Sequence, residues 1–167
     1  MEQLKVKIIG TAPYLQNKFV EEEKKKRGKA RVSETKEAER KVYKNDEGYF
    51  VPCIQIKSAM VKAGTDFQIK GKKTYKEYIK SGIFIEPIEI PLKSKYELYT
   101  IPTGLKNGNM ILTTRPMWKE WEIEFTLNIM DEMLQKEIIL EILEAAGKYK
   151  GLGSNRPEFG RFKVEKL

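Results

Sequence analysis

Near the start of the chain, Leu4, Val6 and Ile8 alternate with Lys5 and Lys7, the two-residue period of a half-buried strand that Gly10, Thr11, Ala12 and Pro13 bring to an end. From about 17 to 48 the pattern lapses into mixed charge. That predicts a solvated insertion, mobile or only transiently helical, whose basic run from Lys24 to Lys29 can contact phosphates or order on a partner. Over 52–63 the spacing of Ile56, Ala59, Met60 and Ala63 by three and four predicts a short helix stopped by Gly64, with Lys57 and Lys62 off its buried stripe. Thr74 and Glu77 have the spacing of a capping box, which predicts a second short helix ending at Gly82. Residues 83–90, interrupted by Pro87, read as an edge or bulged strand, and 96–101 as another. The Asn107-Gly108 pair predicts a turn that returns the chain into a strand over 110–114. The clearest strand follows, where Trp121, Ile123, Phe125, Leu127 and Ile129 alternate with polar residues. Asp131 can then cap a helix with an apolar stripe of Leu134, Ile138, Ile142 and Ala145, ending at Gly147, and Phe162 and Val164 open a closing strand.

Reduced to its core, this order is βαββαβ. It predicts an α+β fold of the ferredoxin-like or RRM-like plan, an antiparallel sheet with helices on one face, as a single domain over 1–167 with the insertion at about 17–48 and a variable middle at about 65–109. That plan serves many functions, so chemistry has to come from particular residues.

Composition narrows the chemistry. The chain has no histidine, which removes His-based triads and His-ligated zinc, and Cys53 is its one cysteine, which removes an internal disulfide and a cysteine metal cluster. No metal site or cofactor is expected. The net charge of +8 favours an anionic partner, nucleic acid before membrane. With no long apolar run and no start resembling a signal peptide, a cytoplasmic protein without a membrane partner is expected.

The segment from Gly147 to Lys163 concentrates the candidates, with four glycines and five Lys or Arg residues. Glycine lets backbone amides approach a ligand, and successive turn amides can cradle an anion. Lys148, Lys150, Gly151, Gly153, Ser154, Asn155, Arg156 and Arg161 are therefore candidate nucleic-acid contacts. A glycine stop followed by a plain turn accounts for Gly147 and Gly151 but needs no arginines, which can also pair with Glu158 or Glu165. Arg115 stands close before Trp118, a basic group beside a candidate stacking platform, although Trp118 suits the core equally well. About four to six usable cations give a slope of about 3 to 4 in log affinity against log salt.

Three segments together resemble the repeat-associated (RAMP) superfamily of CRISPR proteins, particularly its backbone subunits. They are Gly10-Thr11-Ala12-Pro13-Tyr14-Leu15, then Val51-Pro52-Cys53-Ile54-Gln55-Ile56-Lys57-Ser58-Ala59-Met60-Val61-Lys62, and finally Gly151-Leu152-Gly153-Ser154-Asn155-Arg156 with Phe159-Gly160-Arg161-Phe162. In the middle segment Cys53, Ile54 and Gln55 replace the small residues of the family pattern. The resemblance implies non-catalytic binding of single-stranded RNA by its backbone, in a guide-RNA-coating subunit of an antiviral ribonucleoprotein that contacts other subunits or assembles along RNA. It adds Lys57 and Lys62 to the candidate contacts. Two alternatives stand beside it. One is a protein-docking subunit or phage-encoded interaction protein, and the other is a ribonuclease working without histidine, for which Asp46 is the candidate catalytic residue.

Overall fold

The alternation of Leu4, Val6 and Ile8 becomes β1 (Glu2–Gly10), an inner strand of a four-stranded sheet in a computed structural model that describes residues 1–21 and 32–167. β2 (Tyr14–Leu15) follows at once. The basic run Lys24 to Lys29 lies outside the described residues. Beyond it the expected charged arm takes regular structure: Ser33 caps α1 (Glu34–Arg40), and β3 (Lys44–Asn45) pairs with β4 (Gly48–Pro52). The helix forms despite its charge because Ala38 and Val42 are buried, giving the segment an apolar anchor.

α2 (Cys53–Gly64) buries Ile56, Ala59, Met60 and Ala63, the stripe its spacing foretells. A small ribbon of β5 (Gln68–Lys70) and β6 (Lys73–Thr74) leads into α3 (Lys76–Gly82). Thr74 therefore belongs to a strand, and the capping box it would open is not formed. β7 (Ile83–Glu86) and β8 (Glu89–Pro91) flank Pro87 and join different sheets. β9 (Glu97–Lys106) and β10 (Asn109–Trp118) make a long hairpin, with Asn107 and Gly108 both at positive φ as its tight turn requires. After β11 (Glu122–Ile129) comes α4 (Lys136–Ala145), whose start is Gln135. Asp131 instead accepts the Met133 amide in the turn before it. α4 runs into a wide π-type turn, Ala146–Lys150, and β12 (Phe162–Lys166) closes the chain.

The architecture is mixed α+β with antiparallel sheets. The largest sheet has the order β12-β1-β11-β7, while β10 pairs with β2 and β9, and β4 with β3 and β8. The pattern of the chain makes 110–114 a core strand; the structure gives that place to β7, next to β11. Inward residues of this sheet (Leu4, Val6, Ile8, Ile123, Phe125, Leu127, Ile129) share one core with Ile56 and Met60 of α2 and Ile139, Ile142 and Leu143 of α4. Trp118 joins that core to the hairpin sheet. It is fully buried, its Nε1 donates to Ser94 O at 2.9 Å, and Tyr14, Tyr49 and Tyr96 surround it at 5.5–5.8 Å between ring centroids. It is thus no stacking platform for a base. Among the described residues no helix is long and apolar enough to cross a membrane.

Candidate nucleic-acid interface

The glycine-rich segment folds back on itself. The π-type turn closes with the Gly151 amide on Ala146 O at 2.9 Å, and Leu152, fully buried, donates to Gly160 O at 2.9 Å to form a neck. Gly160 donates to Pro13 O and Ser154 to Leu15 O, which fastens the neck to the β2 segment. Gly151, Gly153 and Gly160 all have positive φ. A side chain on Gly153 would collide with Leu15 O and the Tyr14 ring, and one on Gly160 with Leu152 O. These glycines serve close packing of backbone on backbone and ring; the Gly151 and Gly160 amides are both paired internally, and Gly151 is buried.

What the loop presents is its tip. Arg115, from β10, donates through Nη1 to Ser154 Oγ at 2.6 Å and Asn155 Oδ1 at 2.7 Å. Its Nε is buried with no partner among the described residues, and burial draws the guanidinium below its ordinary value. Arg115 therefore positions the tip and is not a free phosphate contact. Tyr99 of β9 packs on Phe159 at 5.4 Å from below, so the hairpin root and the loop form one unit.

Facing the tip is the exposed side of α2. Ile54, Gln55, Ser58 and Lys62, spaced by one, three and four, lie on the helix away from its buried stripe and line a cleft of about 810 Å3 together with Tyr149, Lys150 and residues 153–157. Asn17 and Tyr43 complete the lining. A buried network fixes this wall: Gln16 accepts the Tyr43 amide and donates to Phe50 O, each at 2.8 Å, and Tyr14 OH donates to Gln55 Oε1 at 2.7 Å. Burial holds the Tyr14 phenol far above its ordinary value, so it remains a neutral donor and Gln55 keeps its amide group for the cleft.

The cleft is electrostatically one-sided. Among the described residues, Lys62, Lys150 and Arg156 line it and no Asp or Glu does. Lys150 also reaches Asp66, 3.3 Å away, whereas exposed Arg156 has no carboxylate partner among the described residues. Of the sequence candidates, the fold thus gathers Lys62, Lys150, Gly153, Ser154, Asn155 and Arg156 in one place. Lys148 and Arg161 line a separate groove of about 350 Å3 with Thr11, Glu144 and Lys163. Lys57 is elsewhere: half-buried, it donates to Ile83 O and rests on the Phe84 ring at 5.4 Å, and burial lowers its pKa. Asp46 sits in the exposed β3–β4 turn, outside the lining of either groove.

The outer face of the main sheet offers no comparable surface. Paired positions set Lys5, Lys7 and Lys163 among Glu86, Glu122, Glu124 and Glu165, with Lys7 and Glu122 in an ion pair at 3.2 Å. Ile54, Gln55, Ser58 and Tyr149 were not foreseen as site residues. The signal for the first three was present in their helical phase opposite the buried stripe. No protein-family model matches the chain, and no curated protein matches it in sequence.

Proposed function

We propose that this protein binds single-stranded RNA through the phosphate backbone, without catalysis, in the cleft between α2 and the glycine-rich loop. The observation that carries this is the lining itself: among the described residues it has three cations and no carboxylate, and the Arg156 guanidinium, in the exposed stretch of the loop, has no carboxylate partner there. The order β12-β1-β11-β7, with α2 before β7 and α4 before β12, supports reading the core as ferredoxin-like βαββαβ. It also fits the resemblance to RAMP backbone subunits, and with it a guide-RNA-coating role in a cytoplasmic ribonucleoprotein. Salt dependence tests the reading. Affinity for a short single-stranded RNA should fall with a log–log slope of about −2 if only the cleft cations are engaged, and about −4 if the strand also takes the Lys148–Arg161 groove. Absence of binding, or binding indifferent to salt, would sink it.

A second reading, docking on protein, has its own observation. At the tip of the β9–β10 hairpin Leu105 and Met110 sit opposite one another in the ladder, 76% and 63% exposed. Binding that survives high salt and is lost on Leu105→Ser with Met110→Ser would favour that reading.

A further inference from the structure

Phosphates alone do not account for two members of the cleft. Tyr149 is 59% exposed and Ile54 is 62% exposed, and both line the cleft among Lys62, Lys150 and Arg156. A tyrosine ring and a branched aliphatic chain beside these cations give the cleft apolar surface that a flat ring can cover, with a gain from each area removed from water. The backbone explains how the ring comes to be there. The π-type turn at Ala146–Lys150 puts Lys148 into the outer groove while Tyr149 and Lys150 enter the cleft. Single π-type turns of this sort recur at functional sites, because the extra residue turns side chains out of the helical phase. The Lys148 ammonium lies 5.2 Å from the Tyr149 ring centroid, which holds one side of the ring and leaves the rest to the cleft.

We infer that the cleft takes a whole nucleotide unit of an unpaired strand, with its base stacked on Tyr149 against Ile54 and its phosphate held by Lys62 and Arg156. This rests on the phosphate-binding reading and goes further, because it makes Tyr149 the residue that selects single over double strands. A paired base has both faces covered by its neighbours in the stack and cannot offer one to the ring. No base identity is implied, since every base has a π face.

The test separates base from phosphate. Binding is measured for a short single-stranded RNA, for a strand of the same length whose riboses carry no bases, and for an RNA hairpin duplex, with the native protein, Tyr149→Ala and Tyr149→Phe. Tyr149 is exposed, so neither change threatens folding. Tyr149→Ala should weaken the base-bearing strand about tenfold and leave the abasic strand and the duplex unchanged, while Tyr149→Phe stays within about twofold of the native protein. A single 2-aminopurine in the strand should lose fluorescence on the native protein and on Tyr149→Phe but not on Tyr149→Ala. If Tyr149→Ala weakens the base-bearing and abasic strands alike, or neither, the stacking role is overturned, although salt-dependent binding of the abasic strand would still uphold the phosphate site. If the native protein binds no strand, both fall.

Discussion

Trp118→Ala is expected to destabilise the fold by about 3–5 kcal/mol, lowering the thermal midpoint by roughly 10 °C. Three contributions point the same way. The side chain is fully buried, so its removal leaves a cavity in a region braced by four rings, with Tyr14 touching Trp121 as well at 5.2 Å. It strips Ser94 O of its donor, since the Trp118 Nε1 bond at 2.9 Å helps tie the segment before β9 to the core. It also loosens the joint between the β2-β10-β9 sheet and the rest, on which the glycine-rich loop is seated through Leu15 O and Arg115. Urea unfolding followed by circular dichroism measures the effect. A loss below about 1 kcal/mol would mean that the aromatic hub is not packed as described.

Charge reversal in the cleft should have the largest effect on binding. Lys62→Glu with Arg156→Glu removes two charge-assisted contacts, each worth about 1.5 kcal/mol or more, so affinity for single-stranded RNA at low salt should fall about 100-fold. The salt slope should flatten as well, because fewer counterions are released. Both residues are exposed and neither forms an ion pair with a described residue, so folding should be unaffected. The control is Lys5→Glu with Lys95→Glu, also exposed and outside the cleft lining, which changes net charge equally. If both double variants lose the same affinity, the attraction belongs to the overall field of the protein and not to the cleft.

Elements with a complete local signal were legible in the chain. β1 and β11 show the two-residue period over their length, α2 shows its stripe, and Asn107-Gly108 announces the hairpin. What failed was partner choice, because periodicity reports that a strand is half-buried and not what it pairs with. Hence the pattern alone sets 110–114 in the main sheet, a place that the four residues of β7 take. Cap positions failed for a related reason: Thr74 and Asp131 have capping side chains, but the chain commits Thr74 to a ribbon and Asp131 to a turn before the helix begins.

The site divides along the same line. The cations of the glycine-rich segment stand out because they cluster within a few residues. The opposite wall comes from α2, about a hundred residues earlier, and only the fold brings Lys62 to face Arg156. The glycines stood out too, but for a reason the sequence does not disclose. Their missing Cβ atoms make room for Tyr14, Leu15 and Leu152, which positions the loop, and the amides of Gly151, Leu152, Ser154 and Gly160 are paired within the protein. Arg115 shows the limit most plainly: as a residue type it suits phosphate, and its geometry assigns it to Ser154 and Asn155.

Photocrosslinking of single-stranded RNA carrying 4-thiouridine, followed by mass spectrometry of the joined peptides, tests the central claim most directly. Crosslinks should fall in two stretches far apart in sequence, 54–62 and 149–157, and should disappear together in the Lys62→Glu, Arg156→Glu protein. Crosslinks confined to the outer face of the main sheet or to the hairpin tip, with both stretches unmarked, would contradict the account.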